Sequence, residues 1–127
     1  MDSVHKLAID QALTWINANY SALGIIVSGS IVRGNPNPNS DLDIFVIHQN
    51  VFRQRVQKFF NNIPCEIFIN NIDQIYEYFE REQTTNRPVT ANIISTGKLV
   101  QGSDNKQVLE IIKAAEKFSE TSKNLAE

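Results

Sequence analysis

A chain of 127 residues, 42% apolar and 20% charged, suffices for one domain with one core and has the composition of an ordinary folded protein, so no disordered class is invoked. Its net charge of −2 gives no general electrostatic footprint for nucleic acid, which is therefore not an expected partner, although a local basic patch stays open. The chain starts with charged and polar residues, no apolar run approaches a membrane span, and the single cysteine, Cys65, cannot form an internal disulfide; the expected setting is the reducing cytoplasm, with no membrane partner.

From Ser3 to about Tyr20, apolar residues at Ile9, Leu13, Ile16 and Tyr20 step by helical intervals, which predicts an amphipathic helix packed on a sheet, with Ser3 as its N-cap and His5 exposed in its first turn. Ile25 to Val27 and Ile44 to Ile47 are β-branched and aromatic runs, and Gly and Pro punctuate the segment between them, so both are expected as core strands. Asn35 to Asn39 holds too many helix breakers for regular structure; it is either a plain connector or a frame for a pocket. His48 is expected to end the second strand rather than act as a base.

The spacing of Phe52, Val56, Phe59 and Phe60 predicts a further helix over Val51 to Asn61. Arg53, Arg55 and Lys58 lie off that stripe and are expected as a solvated face, with an acceptor-binding basic surface as the alternative. Cys65 to Ile69 is a short predicted strand. Asn71 and Gln74 have capping-box spacing ahead of a helix whose stripe is Ile72, Ile75, Tyr76 and Phe79, with Asp73, Glu77, Glu80 and Glu82 as a solubilising outer face. Pro88 opens a helix over Val89 to Thr96 that Gly97 closes as a C-terminal cap. Lys98 to Gln101 is a candidate edge strand, and Ser103 or Asp104 caps a last helix with Val108, Leu109, Ile111, Ile112, Ala115 and Phe118 inward. Residues 119–127 turn polar and are expected to fray, leaving one domain over residues 1–127 without linker or repeat.

Chemistry concentrates between the first two predicted strands. Residues two apart on a strand face the same way, so Asp41 and Asp43 share a face while Leu42 and Ile44 take the other. Adjacent carboxylates repel unless a cation lies between them, and hard oxygen ligands at this spacing suit Mg²⁺ shared with substrate phosphates. Upstream, Gly29 ends the first strand and Ser30 to Arg33 can begin a short helix whose unpaired amides bind phosphate. Arg33 is either a solvated surface arginine or a phosphate ligand one turn past the Gly-Ser pair. Amides on one side and carboxylates on the other outline a phosphoryl or nucleotidyl transfer site. Glu66, a carboxylate within an apolar run, is expensive to bury unless it is paired, metal-bound or at an exposed strand position.

The run Gly29-Ser30, Arg33-Gly34 and Ser40-Asp41-Leu42-Asp43 followed by apolar residues resembles the signature of the polymerase-beta-like nucleotidyltransferase superfamily. Within it the chain is most similar to small bacterial nucleotidyltransferase-domain proteins, the group of minimal nucleotidyltransferases and the catalytic domains of aminoglycoside adenylyltransferases. Likeness extends to Pro64 through Asn70 and to the Thr90 to Gly97 segment. Asp-x-Asp alone occurs by chance in about a third of chains this long, whereas the added Gly-Ser and flanking apolar residues lower that to roughly one in a thousand, so the motif is specific for the superfamily.

The resemblance implies an α/β (α+β) nucleotidyltransferase fold, a central twisted mixed sheet flanked by helices. It implies transfer of a nucleoside monophosphate, AMP by preference, from a nucleoside triphosphate such as ATP to a hydroxyl. Asp41, Asp43 and Glu66 would be the catalytic carboxylates and the ligands of two Mg²⁺ ions, and Glu66 could take the acceptor's proton. Gly29, Ser30, Arg33 and Ser40 would bind the nucleotide. Larger relatives add a helical domain that builds much of the acceptor site. The resemblance therefore implies a second subunit in a homodimer, a hetero-complex with a small helical protein that would make this chain an antitoxin, or a small hydroxyl acceptor. The other class of function is a catalytically silent nucleotide-binding or protein-interaction module of the same fold.

Overall fold

A computed structural model of the chain describes residues 3–29 and 41–126, with side chains described through residue 120. The elements run α1 (Ser3–Asn19), β1 (Ala22–Ser28), β2 (Leu42–His48), β3 (Gln54–Phe60), β4 (Ile63–Asn71), α2 (Ile75–Thr84), α3 (Val89–Thr96), β5 (Lys98–Gln101) and α4 (Lys106–Ala126), with a 3-10 turn at Ile72–Gln74. The strands form one mixed sheet in the order β3-β4-β2-β1-β5. β2 and β4 are parallel; β1 with β2, β1 with β5 and β3 with β4 are antiparallel. This is the expected α/β class, a mixed sheet with helices on both sides.

Alternation along the strands divides the core in two. Ile25, Val27, Leu42, Ile44, Val46, Ile67 and Ile69 pack against Ala8, Ile9, Ala12 and Ile16 of α1. Ile26, Phe45, Ile47 and Phe68 pack against α2, α3 and α4 through Ile75, Phe79, Ala91, Ile94, Val108, Ile111 and Ala115. Covered on both faces, β1 and β2 must be apolar nearly throughout, which is how Gly24-Ile-Ile-Val27 and Ile44-Phe-Val-Ile47 read. Each such side chain contributes about 1.5–3 kcal/mol by leaving water.

The predicted helix over Val51 to Asn61 does not form; that stretch is the edge strand β3. Its apolar residues fit a helical interval by accident, for Val56 and Phe60 pack toward α1 while Phe59 is 72% exposed and Val51 is 86% exposed. Asn61 and Asn62, at φ 49° and 62°, make a two-residue turn that pairs Phe60 with Ile63. Consecutive left-handed residues between two antiparallel strands are the requirement of a tight hairpin, and asparagine tolerates them best after glycine. The basic residues therefore lie on a strand and separate by face. Lys58 turns toward α1, its ammonium 4.7 Å from the Trp15 ring, while Arg55 turns to the other side with its guanidinium over Phe68.

Smaller differences have local causes. His5 is fully buried rather than exposed. Tyr78, not Tyr76, joins the buried side of α2, since Tyr76 is 40% exposed. Asn71 caps the 3-10 turn as expected, its Oδ1 accepting from the amides of Asp73 and Gln74. Glu82 is more than a solubilising charge: its carboxylate accepts from the Thr90 amide and hydroxyl, both at 2.7 Å, and so satisfies the start of α3. Helix α4 extends to Ala126.

Gly97 follows α3 with φ −79° and ψ 176°, so it is extended and not a left-handed cap. What demands glycine there is space, because a Cβ would lie 2.5 Å from Ile26 Cγ2 and 2.8 Å from the Ile93 carbonyl oxygen. Gly97→Ala is expected to lower stability by about 1–3 kcal/mol, as over-packing at a helix-strand junction does, in a chemical denaturation curve.

Candidate active site

Below the rows of the sheet covered by α2, α3 and α4, one row of polar side chains crosses four strands. Ser28 on β1 pairs with Asp43 on β2, Asp43 with Glu66 on β4, and Glu66 with Gln57 on β3. Partners across a ladder project to the same face, so this row shares the side of Ile26, Phe45 and Phe68. Ser28 is buried, and from Asp43 to Gln57 that side is open. A cavity of about 380 Å³ is lined by Asp41, Asp43, Gln57, Lys58, Phe59, Pro64, Cys65 and Glu66.

The structure thus brings Asp41, Asp43 and Glu66 to one cavity, and it adds Gly29. At φ 117° this glycine turns the chain out of β1, and a Cβ on it would lie 2.9 Å from the Asp41 carbonyl oxygen and 3.7 Å from the Asp43 amide nitrogen. The strand exit therefore packs directly on the backbone that carries both aspartates. Ser30, Arg33 and Ser40 lie outside the described residues.

Glu66 illustrates how a carboxylate is tolerated in an apolar strand. It is paired with Arg55 by an ion pair and hydrogen bond to the guanidinium, and Gln57 Nε2 donates to the same Oε1 at 3.4 Å. Asp41 and Asp43, hard oxygen donors in one open cavity, are the residues that could hold a divalent cation shared with substrate oxygens. Glu66 is committed to Arg55, and among the described residues no three His, Cys, Asp or Glu side chains are grouped closely enough to enclose a metal.

Cys65, beside these acids, is buried and faces α1. Burial pushes its thiol up to about 11 from 9.0, and the negative charges of Asp41 and Asp43 add to the rise. It is an inert core thiol, not a nucleophile. His48 is buried as well, its Nε2 3.1 Å from the Phe52 carbonyl oxygen and its ring edge-on to Phe52, on the α1 side of the sheet and away from the acids. A larger cavity of about 570 Å³ lies between α1 and β5, lined by Lys6, Ile9, Asp10, Leu13, Val27, Lys98, Leu99 and Val100. Without paired carboxylates it offers no comparable chemistry.

Gln57 and Phe59 of the acid cavity went unrecognised in the sequence because the helical reading of residues 51–61 removed β3 from the sheet. The Asn61-Asn62 pair between two strand-like runs was the signal that could have found them.

A sheet of this order, with Asp41 and Asp43 at the entry of a strand that lies between the Gly29 exit and a parallel strand bearing a third acid, is that of a nucleotidyltransferase-like domain. The sequence profile of the nucleotidyltransferase domain matches residues 9–120, and the chain belongs to that family. Among solved structures, a nucleotidyltransferase-like protein from Exiguobacterium sibiricum superimposes with a TM-score of 0.63 at 16% identity, over 91% of this chain and 39% of that one. The chain thus spans well under half of that neighbour, and the likeness is one of fold. Comparison with curated proteins gives no match.

Two outcomes test this geometry. Gly29→Ala, forced into a conformation that residues with a Cβ rarely adopt and against the Asp41 carbonyl, should lose about 1–3 kcal/mol in thermal or chemical unfolding. The Cys65 thiol is harder to ionise when folded than when unfolded, so its contribution to stability is complete below pH 9 and is lost as pH rises through about 11. At pH 8 the folded protein should accordingly react with iodoacetamide about a hundredfold more slowly than the chain in denaturant, from thiolate fraction alone.

Proposed function

We propose that the chain transfers a nucleoside monophosphate, AMP by preference, from a nucleoside triphosphate to a hydroxyl acceptor, releasing pyrophosphate. The observation that carries this is the in-register placement of Asp43 and Glu66 on parallel neighbouring strands, with Asp41 in the same cavity and the Gly29 turn against the backbone that carries both aspartates. Membership of the nucleotidyltransferase domain family supports nucleotidyl transfer in general. The donor, the acceptor and the metal requirement belong to the proposal.

Asp41 and Asp43 would hold Mg²⁺ together with phosphate oxygens of the donor, and Glu66 would complete a second ion's ligands on leaving Arg55. Bound there, the ions would neutralise charge on the phosphates and make the acceptor hydroxyl more acidic. The chain's own residues set the arrangement. Asp43 is fixed by β1 and β4 pairing on both sides, Glu66 can accept the acceptor's proton, and Gly29 lets the triphosphate approach the backbone, with Ser30, Arg33 and Ser40 in support. The remainder of the acceptor site would come from a second copy of the chain or from a small helical partner, as in an antitoxin complex.

One observation favours a second function, a nucleotide-binding module without chemistry: Glu66 is held by Arg55 and no enclosed group of three metal-ligating side chains exists among the described residues. The two separate in an assay with Mg²⁺ and α-labelled nucleoside triphosphates. For the enzyme, label moves to an acceptor with release of pyrophosphate, and Asp43→Asn lowers the rate at least about a hundredfold, the equivalent of about 3 kcal/mol of lost charge stabilisation, without changing the unfolding midpoint by more than a few degrees. Nucleotide binding with no Mg²⁺-dependent transfer would decide for the module, and transfer that persists in Asp43→Asn would overturn the role given to Asp43.

A further inference from the structure

A third cavity, of about 320 Å³, adjoins the acid site along the β3/β4 hairpin, lined by Arg53, Gln54, Arg55, Phe68 and Asn70. Arg55 forms the boundary, since it stands in this wall and also pairs with Glu66 of the other cavity. The guanidinium of Arg53 lies 4.2 Å from the Tyr78 ring centroid and donates through Nε to Asn70 Oδ1 at 3.1 Å. Both arginines are exposed, while Asn70 is 1% exposed. With its Oδ1 occupied by Arg53, the Asn70 amide Nδ2 is buried and has no hydrogen-bond partner among the described residues. A buried donor left unpaired costs about 1–3 kcal/mol, so an acceptor atom from a ligand or from water is called for there.

Two guanidiniums and an unpaired amide N–H present donors only, so the fitting ligand group is a compact anion rich in acceptor oxygens. Arginine forks match phosphate geometry with paired hydrogen bonds. The spacing of the two cavities bounds the size of the molecule. The acid cavity is lined from Glu66 and the adjoining one from Phe68, two residues along β4, and two strand residues span about 7 Å. A hydroxyl and a phosphate carried on one sugar can reach both.

We propose that this cavity is a phosphate subsite for the acceptor, which is then a small phosphorylated hydroxyl compound of sugar-phosphate size. Its hydroxyl lies at the Asp43/Glu66 row and its phosphate at Arg53, Arg55 and Asn70. The phosphate and Glu66 compete for the same guanidinium, so an occupied subsite draws Arg55 off Glu66 and releases that carboxylate for its role at the acids. The word acceptor rests on the transferase function proposed above; the anion subsite itself does not.

The test is an NMR titration of the full chain without nucleotide or Mg²⁺, with ribose 5-phosphate, inorganic phosphate and ribose as probes. Ribose 5-phosphate should shift the backbone amides of residues 53–55 and 68–70 with a dissociation constant in the range of about 1–10 mM. Inorganic phosphate should shift the same amides more weakly, and ribose should leave them unmoved. Arg53→Gln and Arg55→Gln, both at exposed positions that leave the fold intact, should each weaken binding about tenfold, whereas Glu66→Gln, which removes the competitor, should tighten it a few fold. The proposal is overturned by unshifted amides at about 20 mM ribose 5-phosphate, by equal shifts with ribose, or by unchanged binding in Arg55→Gln. Asp43→Asn keeps the two ideas separable: loss of transfer in that variant with no phosphate binding in the parent protein ends the subsite alone. Phosphate binding in a parent protein that shows no Mg²⁺-dependent transfer ends the transferase function and the acceptor assignment, and leaves the anion subsite standing.

Discussion

The parallel pairing of β2 with β4 is the constraint on which the site depends. It runs from Leu42 opposite Cys65 to His48 opposite Asn71, and a shift of one residue would send Glu66 to the α1 side and Cys65 into the acid row. The register is held because both strands are apolar on the α1 face at Leu42, Ile44, Val46, Cys65, Ile67 and Ile69, where any slip would bury a charge. Core packing on one face thereby positions carboxylates on the other.

The acids remain open because the second helical layer stops short of them. Phe45 and Phe68 are packed beneath α2, α3 and α4, and one ladder step away Asp43 and Glu66 line a cavity. Like charges in that row would oppose folding, and the sheet offsets this with Arg55, delivered from edge strand β3 by the Asn61-Asn62 hairpin. Arg55 is 63% exposed, so its pair with Glu66 contributes modestly to stability and can exchange readily, which suits a carboxylate that has a second role.

Much of this was legible from residues alone. The runs at Ile25 to Val27 and Ile44 to Ile47 are buried strands because only near-continuous apolar sequence satisfies a strand covered on both faces. Asp41 and Asp43 shared a face by strand periodicity, and Glu66 stood out as a lone charge in an apolar run. The failure at residues 51–61 has an equally physical cause. Four apolar residues at spacings of four, three and one satisfy a helical stripe, but at a sheet edge the exposed face places no apolar demand on the sequence, and Phe59 could stay in solvent. His5 and Glu82 were misjudged for a related reason, since a polar side chain looks solvent-facing until the surface it packs on, or the helix start it caps, is known.

Sequence by itself determined the α/β class, the two central strands, the aspartate pair and the family, because each rests on short-range periodicity and a compact motif. Only the tertiary structure decided that β3 is a strand, that Glu66 stands beside Asp43 and is paired with Arg55, and that Asn70 opens a donor-lined cavity next to them. Those facts depend on which strands become neighbours, and strand order in a mixed sheet is set by packing against both helical layers, over separations along the chain that local pattern does not carry.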